Sequence, residues 1–166
     1  VIAALADRGV GGEQLWLTAQ NLADYSTTVA AGLLEGTNGV LEGAAVGDEL
    51  ATRLRHSDPA LLSFRFAPET YDAVVLAALA AVLADDDGGV SIAAQLAAAA
   101  AEGVPCESFG ECIEVLGTEP AIDYDGLSGP LTLDAAGDVV EGEIGLYQYT
   151  AENRAELVGT LSIAPR

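Results

Sequence analysis

The pattern of apolar and polar positions predicts alternating strands and helices in the first third of the chain. Short apolar runs predict buried strands over residues 13–18 and 39–46. Helices are predicted over residues 25–34 and over residues 48–55, the second capped by Asp48. Strand–helix alternation of this kind is typical of α/β layering with a parallel sheet.

The middle of the chain is predicted to be a block of helices. Long apolar runs predict helices over residues 70–83 and 91–101, with a turn over residues 85–89 between them. A third helix is predicted to begin at Ser108, because Glu111 follows three residues later at the spacing of a capping box.

From about residue 121 the pattern changes to short strands. A strand is predicted over residues 131–133, and a β-hairpin over residues 142–150 and 156–163 around a turn at 152–154. The fold class predicted from the whole pattern is α/β.

Charge is the strongest signal in the composition. The 166 residues include 26 Asp and Glu, six basic residues that are all arginine, and a formal net charge of -20. A surface this acidic repels phosphate backbones and anionic lipids, so neither nucleic acid nor a membrane surface is an expected partner. Because 51% of the residues are hydrophobic, the chain is expected to fold rather than to remain disordered.

Candidate catalytic and metal motifs are weak. His56, Ser57 and Asp58 are adjacent, whereas a catalytic triad needs side chains that converge from separate elements. A calcium loop starting at Asp123 would need a side-chain oxygen ligand at position 127, and Leu127 has no side-chain oxygen. We therefore expect no enzyme activity, no cofactor and no metal site.

The two cysteines, Cys106 and Cys112, leave two readings open. Their six-residue spacing permits a local disulfide, and they could also be two buried free thiols. A disulfide would indicate a compartment outside the cytoplasm.

Five stretches of the chain together resemble a known family. They are IAALADRGVGGEQLWLT (2–18), LEGTNGV (34–40), APETYDAVVLAALA (67–80), CESFGEC (106–112) and IDYDGLSGPLTLDAAGDVVEGEIGLYQY (122–149). In this order and spacing they resemble type I periplasmic binding proteins. The similarity is greatest to the branched-chain-amino-acid (Leu/Ile/Val-type) substrate-binding proteins of ABC transporters, and the paired cysteines look like those of Gram-positive members.

The resemblance implies two α/β lobes with a ligand held between them, of which this chain would be the C-terminal half. Residues 1–55 and 146–166 would belong to the second lobe, and residues 56–145 to the first. The missing N-terminal half of the same protein would carry the signal peptide and any lipid anchor. The absence of methionine and the opening in mid-helix lead to the same expectation of a truncated or processed chain.

The resemblance also suggests ligand-binding residues. Gln20 and Asn21 stand where the family usually has an acidic residue for the ligand ammonium, and an amide can only hydrogen-bond such a group. Tyr71 matches a cleft-facing aromatic residue, with packing on its neighbours as the alternative. Trp16 is predicted to lie in the core, because it sits within an apolar strand.

The function implied is an extracytoplasmic, non-enzymatic solute-binding component of an ABC uptake transporter. Its partners would be a small polar solute (a branched-chain amino acid, another amino acid or an amide) and a membrane permease. Two alternatives remain. One is a ligand-sensing domain of a receptor or regulator on the same fold. The other is an acidic secreted hydrolase, which would need a pocket that joins a carboxylate pair to His56.

Overall fold

The chain has an α/β fold with a mixed sheet. The structure is a computed structural model that describes residues 1–61, 63–101, 103–134 and 136–163. It forms two compact units. Unit 1 comprises Val1–Glu42 and Ile144–Leu161, and unit 2 comprises Gly43–Glu143 with the described residues from Ser162 onward.

Five α-helices and six strands lie within the described residues. The helices are α1 (Ile2–Ala6), α2 (Asp48–Ser57), α3 (Ala67–Ala84), α4 (Gly89–Ala99) and α5 (Phe109–Leu116), with a 3-10 helix at Gly12–Gln14. The strands are β1 (Trp16–Leu17), β2 (Asn38–Glu42), β3 (Val104–Cys106), β4 (Ile122–Tyr124), β5 (Gly142–Tyr149) and β6 (Ala155–Ile163).

A four-stranded sheet in the order β1-β2-β5-β6 organises unit 1. Strand β1 runs parallel to β2, and β2 runs antiparallel to β5 with Val40 opposite Leu146. Strands β5 and β6 are neighbours joined by a short turn, so the predicted hairpin is confirmed. The core of this unit consists of Leu17, Leu22, Leu34, Leu41 and Tyr149.

The helix predicted over residues 25–34 is wrong, because the structure has a series of turns there. The amide of Gly32 donates to the carbonyl of Ala151 at 2.7 Å, and the amide of Leu34 donates to the side chain of Asn153 at 3.0 Å. Gly32 also has a positive φ of 78°. Several backbone donors of this segment are therefore satisfied by the β5–β6 turn, and others by local turns, instead of by a helix.

Two strands are shorter than the sequence predicts. Strand β1 contains two residues, and its Trp16 is 54% exposed, so the prediction that Trp16 lies in the core is wrong. Strand β2 ends at Glu42 because Gly43 turns the chain with a φ of 103°. At residues 131–133 the structure has a single bridge, between Leu133 and Val139.

Unit 2 is built around the pair of helices α3 and α4. Both helices were predicted, and the turn between them begins at Asp85, which ends α3 in the left-handed conformation. By length and composition alone α3 could cross a membrane, and in this unit its buried residues pack into the core. The core consists of Val75, Leu76, Leu79, Ala99, Ala100, Cys106, Cys112, Ile122 and Tyr124.

The parallel strands β3 and β4 pair through three residues each and were not predicted. The observed units divide at residues 42/43 and 143/144, whereas the resemblance implies boundaries at 55/56 and 145/146. The assignment of these segments to two lobes stays a prediction.

Candidate functional site

The candidate site is a pocket within unit 2, with a volume of about 680 Å³. Its walls come from residues 45–53 around the start of α2, from Tyr71 on α3, and from residues 107–111 and 125–127. We call it the unit-2 pocket. A concave site of this size that gathers a few polar groups from separate segments suits a small ligand.

Arg53 and Tyr71 lie next to each other in the unit-2 pocket. The guanidinium carbon of Arg53 is 5.5 Å from the centroid of the Tyr71 ring, within the range of a cation–π contact. Glu49 precedes Arg53 by four residues on α2, a favourable spacing for an ion pair. Among the described residues, however, the ion pair that forms is between Arg154 and Asp24. The Arg53 guanidinium therefore stacks on Tyr71 without a carboxylate partner in the described part of the chain.

Four carboxylates give the unit-2 pocket negative charge beside the positive charge of Arg53. Glu49, Glu107, Glu111 and Asp125 line the unit-2 pocket, and all four residues are exposed. With Arg53 as the cationic lining residue, the pocket can offer hydrogen-bond donors to a ligand carboxylate or carbonyl and acceptors to an ammonium or amide.

The N-terminus of α5 forms one wall of the pocket. As predicted, Ser108 caps this helix, and its hydroxyl accepts a hydrogen bond from the amide of Glu111 at 3.3 Å. The Glu111 carboxylate accepts from the amide of Glu107 at 2.9 Å, one residue earlier than a capping box would place it. The side chain of Glu111 thus holds the backbone that leads into the helix.

The disulfide between Cys106 and Cys112 encloses this wall. The two Cα atoms are 5.2 Å apart, and the bond confirms the disulfide alternative over free thiols. Both cysteines are buried in the core of unit 2, while Glu107, Ser108 and Glu111 lie between them in sequence and line the pocket.

Asp72 holds a second wall in place, and sequence reasoning missed it. Its carboxylate is 1% exposed and accepts four hydrogen bonds from Tyr124, Leu127 and Ser128. Burial and, next, the hydrogen bond to Asp72 raise the pKa of Tyr124 well above its usual range. The available signal was an acidic residue on the apolar face of α3, in line with Pro68 and Val75.

A second, mainly apolar groove of about 430 Å³ lies beside α2 and α3 in the same unit. It shares Leu50 and Tyr71 with the unit-2 pocket. Tyr71 is half-buried and packs against the core, so the alternative that it packs on its neighbours is confirmed.

Gln20 and Asn21 belong to unit 1, in the turn that follows β1, and both are exposed. The hydroxyl of Tyr25 donates to the backbone carbonyl of Asn21 at 2.8 Å. Tyr71 belongs to unit 2. The ligand-binding roles of all three residues stay predictions.

His56 and Asp134 both lie outside the pocket and the groove. His56 lies in the last turn of α2 and is not among the residues that line the pocket or the groove. Asp134 accepts hydrogen bonds from the amides of Ala136 and Asp138, as expected for an aspartate that stabilises a turn. Within the described ranges, no group of three potential metal ligands comes together.

Comparison of the chain with protein-family models, with curated proteins and with solved structures finds no match.

Proposed function

We propose that this chain is a non-enzymatic solute-binding component of an ABC uptake transporter. It acts outside the cytoplasm and binds a small polar solute, namely a branched-chain amino acid, another amino acid or an amide. The proposal starts from the five stretches that resemble type I periplasmic binding proteins. The permease of such a transporter is the proposed protein partner.

One observation carries the proposal: Tyr71 lines a pocket of ligand size next to Arg53. Tyr71 is also the residue that matches a cleft-facing aromatic residue in the sequence resemblance. Arg53 adds a fixed fork of donors that suits a carboxylate or a carbonyl oxygen. The carboxylates of Glu49 and Asp125 can accept hydrogen bonds from an ammonium or amide group. Positive charge at Arg53 and negative charge at Glu49 on the same wall and at Asp125 on another favour a zwitterion or a neutral amide over a simple anion.

The disulfide supports the proposed compartment. Stable disulfides form in secreted and cell-surface proteins and are rare in the reducing cytoplasm. The bond between Cys106 and Cys112 is buried, which is typical of a structural disulfide.

Isothermal titration calorimetry tests the proposal with a panel of L-leucine, L-glutamine, glycine, acetamide and urea. We expect at least one member to bind. Arg53→Ala should weaken that binding at least tenfold, because it removes the cation beside Tyr71. Arg55→Ala is the matched control, since Arg55 lies on the same helix and does not line the pocket. Its guanidinium carbon lies 4.6 Å from the centroid of the Phe64 ring.

Two results would contradict the proposal. Absence of a binding signal with every solute on the panel would contradict the proposed solute-binding function. Equal weakening by Arg53→Ala and Arg55→Ala would remove the unit-2 pocket as the site, because only Arg53 lines it.

A further inference from the structure

We propose that Asp72 is a positioning residue that fixes one wall of the unit-2 pocket, a role that depends on the proposed solute-binding function. The wall is the 125–128 loop, of which residues 125–127 line the pocket. Asp72 itself does not line it. Asp72 acts through the loop, and its neighbour Tyr71 contributes to the pocket directly.

The two carboxylate oxygens of Asp72 divide the loop between them. Oδ1 accepts from the Tyr124 hydroxyl at 2.8 Å and from the Leu127 amide at 3.0 Å. Oδ2 accepts from the Ser128 amide and the Ser128 hydroxyl, both at 2.6 Å. All four donors are neutral, so hydrogen bonds rather than a cation satisfy this buried carboxylate. Hydrogen bonds to an ionised acceptor are about twice as strong as those between neutral groups.

The arrangement requires an acceptor at both oxygens. In Asp72→Asn, one oxygen becomes an NH₂ group that can only donate. Of the two donors that face this group, the hydroxyl (of Tyr124 or Ser128) can turn and accept from it. The backbone amide (of Leu127 or Ser128) can only donate and would lose its partner, which is costly in a buried position. The loop therefore cannot keep both of its backbone-amide bonds to this side chain, although the change in side-chain volume is small.

The close approach of the 125–128 loop to Asp72 also depends on the small size of Gly126. A Cβ atom at this position would overlap the Asp72 carboxylate. The loop backbone therefore approaches α3 as closely as a residue without a side chain allows. Gly126→Ala should push the loop away from Asp72 without removing any charge, which gives an independent way to disturb the wall.

Tyr71 and Asp72 connect the two sides of the site through one helix. Tyr71 stacks with Arg53 of α2, and Asp72 binds the 125–128 loop. Because the two residues are consecutive on α3, the distance between these walls is set by a single rigid element. A shift of the loop changes the pocket on the side that faces Tyr71.

Amide hydrogen exchange by NMR tests the inference without any ligand. In Asp72→Asn the amide of Leu127 or of Ser128, and in Gly126→Ala both amides, should exchange at least tenfold faster than in the wild type, relative to the amides of α4. Leu79→Ala is the matched control. It removes a fully buried side chain from the same helix, so it lowers global stability, and leucine makes no side-chain hydrogen bond to the loop. Unchanged exchange at the loop, or an equal rise in Leu79→Ala, would overturn the inference.

A further variant and a binding measurement separate the role of Asp72 from a loss of folding. Ser128→Ala removes only the hydroxyl donor and should give a smaller rise, and it replaces Asp72→Asn if that variant does not fold. For any solute that the wild type binds on the calorimetric panel, Asp72→Asn should weaken binding at least tenfold and Leu79→Ala should not. A wild type that binds nothing would refute the proposed function alone, since the exchange data decide separately whether Asp72 holds the loop. Local exchange without loss of affinity would overturn the positioning role.

Discussion

The hydroxyl of Tyr149 makes two hydrogen bonds with the backbone of Ala23, 126 residues away in sequence. It accepts from the Ala23 amide at 3.0 Å and donates to the Ala23 carbonyl at 2.8 Å. Tyr149 ends β5, and Ala23 lies in the polar segment after β1. One buried side chain therefore ties the end of the chain to its beginning within unit 1.

Tyr149→Phe should lower the free energy of unfolding of unit 1 by about 2 kcal/mol, because each of the two hydrogen bonds has a usual net value of about 1 kcal/mol. Urea denaturation followed by tryptophan fluorescence measures this, because Trp16 is the one tryptophan of the chain. The control is Tyr25→Phe, whose hydroxyl binds the exposed Asn21 carbonyl and should matter less. An equal loss in the two variants would show that burial of the Tyr149 side chain adds nothing to its hydrogen bonds.

Asn153 should tolerate glycine better than alanine. Its side chain is fully buried, accepts from the Leu34 amide and donates to the Ala30 carbonyl, and its φ is 58°. Either substitution removes both side-chain hydrogen bonds and should cost about 2 kcal/mol. Alanine additionally pays for the left-handed conformation, so we expect it to be less stable than glycine by about 1 kcal/mol. Thermal or urea unfolding of the two variants measures the difference. Equal stability would show that the backbone conformation at this turn relaxes.

Local patterns predicted the elements whose bonds are local. The hairpin of β5 and β6 and the long helix α3 were predicted because alternation, turn residues and Pro68 are all visible within a short window. The Ser108 cap was visible for the same reason.

Two of the errors share a physical cause, which is a partner far away in sequence. The segment 25–34 was predicted to be a helix from its own local sequence, whereas Leu34 donates to Asn153 at a separation of 119 residues. The role of Asp72 depends on a loop more than fifty residues away. Trp16 was predicted to be buried from its apolar neighbours, but β1 is a two-residue strand at the edge of its sheet.

Removal of the disulfide should lower the stability of unit 2. In a double Cys106→Ala, Cys112→Ala variant, the loss of a cross-link with a sequence separation of 6 should cost about 2 kcal/mol. In the native protein, dithiothreitol should reduce the bond slowly, because Cys106 is 1% and Cys112 is 0% exposed. Alkylation followed by mass spectrometry, with and without urea, measures the reduction. Rapid reduction without urea would contradict the buried position of the bond.

The loss of folding stability at acidic pH should depend on Ser91. Its hydroxyl hydrogen bond, followed by the Gly88 amide, lowers the pKa of Asp86 in the folded state. A lowered folded-state pKa stabilises the protein above the ordinary aspartate value of about 3.9, and this stabilisation is lost as the pH falls through the folded-state pKa. Ser91→Ala should therefore raise the pKa of Asp86 and reduce the loss of stability on acidification.

An NMR titration of the side-chain carboxyl carbons checks this. Asp134 is the internal control, because backbone hydrogen bonds from Asp138 and Ala136 lower its pKa independently of Ser91. A Ser91→Ala variant in which both aspartates shift equally, or neither shifts, would refute the assignment.

The division of unit 1 into two sequence segments has a consequence for synthesis on the ribosome. Strand β2 pairs with β5, and the residues of unit 2 lie between these two strands in the chain. Unit 2 can complete its core as it emerges, whereas the sheet of unit 1 has to wait for a strand translated about 100 residues later. At about 5–20 residues per second, that interval lasts roughly 5–20 s. During this time the edge of β2 is unpaired, so binding of β2 by a chaperone would be most useful in that interval.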